Sequence, residues 1–310
     1  MKNALVLGAT GSMGNAIVNA LRERNISTIA FGRSLQKLEE YKKDWDPEVE
    51  LFVGDAYKKE DIREAVSKAD YIFHSVNIPY QEWQQKLRPL LMNILEECRN
   101  QNKPFIYVDN IYSYGRQTGK TTESAVKQPH TKKGKLRLHL LKEIENSGVT
   151  YLIAHFPDFY GPKAGSTLLQ YTFEGVLKKY SGGFIGDLNI PREYIFVKDG
   201  ANALVELSLR ENTYGETWNI PGSGTITGKE IQAILSTHFG REIKFSRIHK
   251  WMIQGLGIFN PFMKEYVEMM YLNETPVVLD GTKYKERIGA IPMTPYEIGI
   301  KETLTSMAAK

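Results

Sequence analysis

The stretch LVLGATGSMGNAIV, residues 5–18, constrains the fold more than any other part of the chain. A short apolar run enters Gly8, Gly11 and Gly14, and an amphipathic run leaves them. Glycine permits a tight turn, lets the main chain approach a pyrophosphate, and allows a helix to pack closely on the preceding strand. The amides that open such a helix carry partial positive charge and lack partners inside it, so they suit an anion. In NAIVNALRER, residues 15–24, Ile17, Val18 and Leu21 share a stripe with Arg22, Glu23 and Arg24 opposite, as an amphipathic helix requires. Strand, glycine turn and helix in this order point to dinucleotide binding by Gly8, Thr10, Gly11, Ser12, Met13 and Gly14, with an ordinary turn as the alternative.

The pattern continues. Apolar, β-rich runs at 4–7, 27–31, 50–53, 71–75, 105–108 and 151–154 alternate with helical segments, which predicts a doubly wound parallel α/β sheet covered on both faces. After DFYGPKAG (158–165) glycine and proline cluster and the rhythm becomes irregular around short runs such as EYIFV (193–197). A Rossmann domain is expected over 1–158, with a returning segment near 190–215, and a smaller mixed α/β lobe over 159–310.

Composition narrows the class of protein. Lys and Arg (40) nearly balance Asp and Glu (36), for a net charge of +4 over 310 residues, so no global field favours nucleic acid. Cys98 is the single cysteine; it permits no internal disulfide and fits a reducing compartment as a buried helix residue. The amino-terminal residues run straight into the glycine turn and do not read as a secretion signal, and no apolar run is long enough to span a bilayer. A soluble, cytoplasmic protein with a small-molecule substrate is expected, without nucleic-acid or membrane partners and with a homodimer left open. His130, His139 and His155 lack the close spacing of a zinc site, and no GxSxG elbow is present.

At the end of the second strand, AFGRS places Arg33, Ser34 and Lys37 where NAD-selective sites keep a carboxylate about 20 residues after the loop. A guanidinium there pairs with a 2′-phosphate, so NADP(H) is preferred over NAD(H). GDAYKKEDI brings Asp55 and Ala56 after the third strand; Asp55 reads either as an acceptor for the adenine amino group or as a turn aspartate. HSVN ends the fourth strand with Ser75 and Asn77 at the carboxyl edge of the sheet.

GATGSMG, GDAYKKEDI, YSYG, FPDFYGP and EYIFVKDGANAL followed by TWNIPG occur in an order that resembles the extended short-chain dehydrogenase/reductase superfamily, the NAD-dependent epimerase/dehydratase family. The resemblance spans nearly the whole chain and implies cofactor contacts that include Pro157 of FPDFYGP. It also exposes a departure. The family's Ser or Thr before the YG pair falls on Asn110, and its Tyr-x-x-x-Lys falls in HTKKGKLR (130–137), where Lys133 replaces the tyrosine and Arg137 the lysine.

This basic stretch, with four cations in eight positions, therefore reads either as the active-site helix or as a solvated helix end. Lys133 and Arg137 share a helical face, which would make Arg137 a cofactor or substrate anchor and Lys133 a candidate acid, similar to the lysine of isoflavone-reductase-like members. Tyr112 is the second candidate acid. Tyr114 and Tyr160 stand at YG corners and are expected to pack. An NADPH-dependent reductase of a small carbonyl or enone follows as the first expectation. A non-catalytic NADP(H) sensor and a nucleotide-sugar epimerase or dehydratase with altered catalytic residues remain as alternatives.

Overall fold

The computed structural model describes residues 2–165 and 167–309. Its large sheet is wound from one repeated unit, a buried apolar strand followed by an amphipathic helix. The first half comprises β1 (Asn3–Leu7), α1 (Ser12–Arg22), β2 (Ser27–Gly32), α2 (Leu35–Lys42) and β3 (Glu50–Val53), after which α3 (Lys59–Ser67) crosses to β4 (Tyr71–His74). The chain continues through α4 (Trp83–Asn100), β5 (Phe105–Asn110), the short β6 (Lys120–Thr121), α5 (Lys132–Glu145) and β7 (Tyr151–Phe156). It then leaves through β8 (Asp158–Tyr160), α6 (Leu168–Lys179), β9 (Ser181–Ile185) and β10 (Arg192–Phe196), and returns by α7 (Val197–Ser208) to β11 (Glu216–Asn219).

The seven strands lie in the order β11-β7-β5-β4-β1-β2-β3 and all pair in parallel. The six runs read from the sequence are all present. The order of connection reverses between β1 and β4, and a crevice opens at such a reversal outside the carboxyl ends of the strands. Side chains alternate across β1, so Leu5 and Leu7 enter the core on one face while Ala4 and Val6 enter the core on the other. Both faces are dry, which is why these strands read as continuous apolar runs. Cys98 is fully buried on α4, and burial pushes its thiol up to about 12.

The remainder is β12 (Thr225–Ile226), α8 (Gly228–Phe239), β13 (Lys244–Ile248), α9 (Lys250–Leu256), α10 (Pro261–Tyr266), β14 (Val278–Leu279), α11 (Thr282–Arg287) and α12 (Tyr296–Ala308). Phe173, Phe184, Ile231, Leu235 and Ile300 form a separate core for this smaller lobe. Helix α7 packs on α1, and β11 extends the large sheet just beyond the returning segment read from the sequence. A second return is made by α11, whose Tyr284 lies edge-on to Trp218 of β11 in the large-sheet core. Glu193 of β10 joins three segments, accepting from the amides of Gly222 (3.2 Å) and Leu279 (2.9 Å). Burial pushes its carboxyl up to about 7 despite these two bonds.

Candidate cofactor and active site

Gly8 adopts a φ of +83°, and its carbonyl accepts from the Gly11 amide at 2.9 Å. A Cβ on Gly14 would stand 2.1 Å from that carbonyl oxygen and 2.8 Å from Ser75 Oγ. The turn therefore needs glycine at Gly8 for conformation and at Gly14 for helix-to-strand packing. Gly11 caps α1 without a side-chain hydrogen bond. The leading amides of α1 are thus left to whatever occupies the cleft that Ser12 and Met13 line. A helix start with uncapped leading amides behind the Gly8 and Gly11 turn fits a dinucleotide pyrophosphate.

The cleft has a volume of about 350 Å³. The glycine turn forms one wall, Phe31, Gly32 and Arg33 close it at the end of β2, and Asp55, Ala56 and Tyr57 follow β3. Ser75, Val76, Asn77 and Ile78 lead on from β4, and the far end is formed by Val108, Asp109, Asn110, Arg137 and Phe159. Residues from the turn, the first five strands' ends and α5 thus meet at one sheet edge. Within it, Asp55 Oδ1 accepts from the Tyr57 amide at 3.1 Å, so the turn-aspartate bond is formed while the residue also faces the cleft. Ser75 donates its hydroxyl to the Leu7 carbonyl at 2.9 Å.

Four residues expected at the cofactor do not line the cleft. Gly14 lies beneath it, packed against Gly8. Ser34 caps α2 by accepting from the Lys37 amide at 3.3 Å, and Lys37 is exposed in the first turn of that helix. Pro157 is buried between β7 and β8.

The basic helix start divides its two residues. Arg137 reaches the cleft, and its guanidinium donates to Tyr107 Oη at 2.8 Å and Asp109 Oδ1 at 3.2 Å, with Trp83 beneath it at 4.4 Å. Lys133 turns the other way. It is 3% exposed, and its ammonium pairs with Glu265 at 2.5 Å and Glu268 at 2.9 Å, over the ring of Tyr80. Its partners are two carboxylates from the smaller lobe, and Lys133 is not among the cleft-lining residues.

Tyr112 also lies outside the lining, two residues beyond Asn110. Asn110 Oδ1 accepts from the Tyr112 amide at 2.9 Å and opens the short 3₁₀ turn Ile111–Tyr114. Tyr112 and Tyr80 join hydroxyl to hydroxyl at 2.6 Å. Burial, with Tyr80 and Asp158 close by, pushes the Tyr112 phenol well above its usual range. Tyr114 packs as expected, donating to Asn219 Oδ1 at 2.7 Å, and Tyr160 packs between Phe196 and Tyr296.

Sequence reasoning missed Asp109 and His155. They are direct partners across β5 and β7, and His155 Nδ1 lies 3.2 Å from Asp109 Oδ2. Both are almost fully buried, and Asp109 sits between an imidazole and the Arg137 guanidinium at the far wall of the cleft. The available signal was a polar residue next to last in each of two apolar runs, FIYVDN and YLIAHF.

The family model described as NAD(P)H-binding matches residues 8–180. The chain belongs to this NAD(P)H-binding family. None of the curated proteins matches it. Among solved structures it is similar to the UDP-glucuronic acid 4-epimerase of Bacillus cereus in complex with NAD, 16% identical over 99% of each chain with a TM-score of 0.82. It is also similar to the UDP-glucose 4-epimerase of Thermotoga maritima with UDP-glucose, 19% identical over 99% of each chain at 0.78. The dTDP-glucose 4,6-dehydratase of Bacillus anthracis in complex with NAD is 16% identical over 100% of this chain and 97% of its own, at 0.81. At these identities the likeness is one of fold, and it bears out the doubly wound parallel α/β architecture read from the sequence.

Proposed function

We propose that this NAD(P)H-binding protein is an NADPH-dependent reductase of a small carbonyl or enone compound. The glycine turn and the leading amides of α1 hold the pyrophosphate, Arg33 holds the 2′-phosphate, and Arg137, braced by Asp109, anchors the nicotinamide half. The bound reduced nicotinamide supplies hydride. Asn110 and Phe159 flank the substrate carbonyl at the far end of the cleft, and Tyr112, just behind that lining with its hydroxyl on Tyr80, delivers the proton once substrate draws its side chain towards the cleft.

The observation that carries this reading is the buried Tyr112–Tyr80 hydroxyl pair. A phenol whose pKa is raised by burial stays protonated at neutral pH, so it is poorly suited to abstract a proton from a sugar hydroxyl. It remains able to protonate the alkoxide left by hydride addition, which is more basic than a phenolate. Lys133, held by two carboxylates, is the second candidate acid. The full-length likeness in fold to nucleotide-sugar enzymes supports epimerisation or dehydration as a second reading.

The test is a panel of carbonyls, enones and UDP-sugars, with loss of NADPH absorbance and product analysis as readouts. A reduced compound is expected, and Tyr112→Phe should lower its turnover by about two to four orders of magnitude while NADPH affinity holds. Full activity in Tyr112→Phe would remove it as the acid and bring Lys133→Ala forward. Tight NADPH binding with no compound reduced would favour the sensor.

A further inference from the structure

The smaller lobe carries a surface unlike the rest of the molecule. Of thirteen large apolar side chains exposed among the described residues, five belong to α9 and the turn after it: Trp251 (68%), Met252 (36%), Leu256 (54%), Ile258 (77%) and Phe259 (89%). The other eight are scattered along the chain, as isolated surface apolar residues ordinarily are. A rigid base holds the five out. Ile253 is buried in the core on the inner side of α9, and a Cβ on Gly257 would stand 3.0 Å from Lys264 Cα, so α9 and α10 cross tightly beneath residues 258–260.

The charge of this segment is one-sided. Residues 243–264 contain Lys244, Arg247, Lys250, Lys264 and His249, and neither aspartate nor glutamate. Lys244 pairs with Glu242 and Arg247 with Asp187, whereas Lys250 and Lys264 have no ion pair among the described residues. Exposed Trp, Phe, Ile and Leu beside unpaired lysines match a surface that is apolar below and negative above, which describes the headgroup boundary of an anionic bilayer. Two copies of the patch set face to face would instead oppose like charges.

We propose that α9 and the following turn dock onto an anionic lipid surface, with Ile258 and Phe259 entering the headgroup region and Lys250 and Lys264 over the lipid phosphates. No described helix is long and apolar enough to cross a membrane, so the contact is peripheral. It departs from the expectation of no membrane partner, which rested on the lack of a span-length apolar run; WMIQGLGIF (251–259) is too short to cross a bilayer and lies only at its surface.

The fold supplies its own reporter. Trp45, Trp83 and Trp218 are at most 5% exposed, while Trp251 is 68% exposed, so an emission change on lipid addition reads Trp251. The full chain is titrated with vesicles of phosphatidylglycerol and phosphatidylcholine in equal parts, with vesicles of phosphatidylcholine alone, and by co-sedimentation. A blue shift and sedimentation confined to the anionic vesicles are expected. Phe259→Glu should weaken the partition by about tenfold or more, and Lys250→Glu by about fivefold or more. Both positions are exposed, and circular dichroism verifies that the variants fold. No binding to anionic vesicles, equal binding to neutral ones, or variants that bind like the parent would overturn the proposal. So would a concentration-dependent dimer, seen by light scattering, that Phe259→Glu dissolves, since the patch would then serve a second copy.

Discussion

Replacing Arg33 by alanine should abolish a preference for NADP(H) without harming the binding of NAD(H). Arg33 stands at the end of β2 on the rim of the cleft, and α2 begins immediately after it with Ser34 as its cap. Asp55 and Asp109 are the carboxylates that line the cleft. Asp109 is paired with Arg137 at 3.2 Å, and Asp55 holds the Tyr57 amide, so neither is placed as the ribose-binding acid that follows β2 in NAD-selective sites. A bond from a guanidinium to a phosphate is charge-assisted, but Arg33 is exposed, so water and salt screen it. The expected preference for NADPH is therefore about tenfold, equivalent to about 1.4 kcal/mol. Fluorescence titration of NADPH and NADH against the parent and Arg33→Ala, each at low and high salt, measures it. The variant should lose about tenfold for NADPH only, and the parent's preference should shrink with salt. Equal affinities in the parent, or a variant that weakens both cofactors alike, would refute the reasoning.

Gly14→Ala should abolish cofactor binding, because its Cβ would meet the Gly8 carbonyl oxygen at 2.1 Å and α1 would have to move off β1; titration beside circular dichroism checks this. Asp109→Ala should cost about 3–5 kcal/mol in urea unfolding, since it strands the Arg137 guanidinium, which is 6% exposed, without its carboxylate. Glu193 should make stability fall as pH rises from about 4.5 to about 7, because the native carboxyl keeps a proton that the unfolded chain has released. The contribution over that window is about 3 kcal/mol, and it should flatten in Glu193→Gln when urea midpoints are compared across it.

The six strands of the first half and the glycine turn were legible because the forces that make them are local. Turn conformation belongs to single glycines, and burial on both faces writes an uninterrupted apolar run. Most of the cleft followed for the same reason, since parallel strands deliver their carboxyl ends, with Arg33, Asp55, Ser75 and Asn110, to one edge. Short polar positions inside apolar strands were harder. Asp109 and His155 become a pair only when β5 and β7 align in register.

What the sequence by itself determined is the winding of the large sheet, the dinucleotide turn and the spacing of Lys133 and Arg137. Tertiary structure alone decided which way the two basic residues of α5 face. Helical spacing places Lys133 and Arg137 on one side, yet Glu265 and Glu268, more than 130 residues away along the chain, draw Lys133 out to the smaller lobe, while Asp109 and Tyr107 draw Arg137 in towards the cleft. Side-chain direction at a helix start is set by where opposite charge and hydrogen-bond partners lie in space. Those partners lie on other segments, β5 for Arg137 and the smaller lobe for Lys133, so their positions exist only once the tertiary fold has formed.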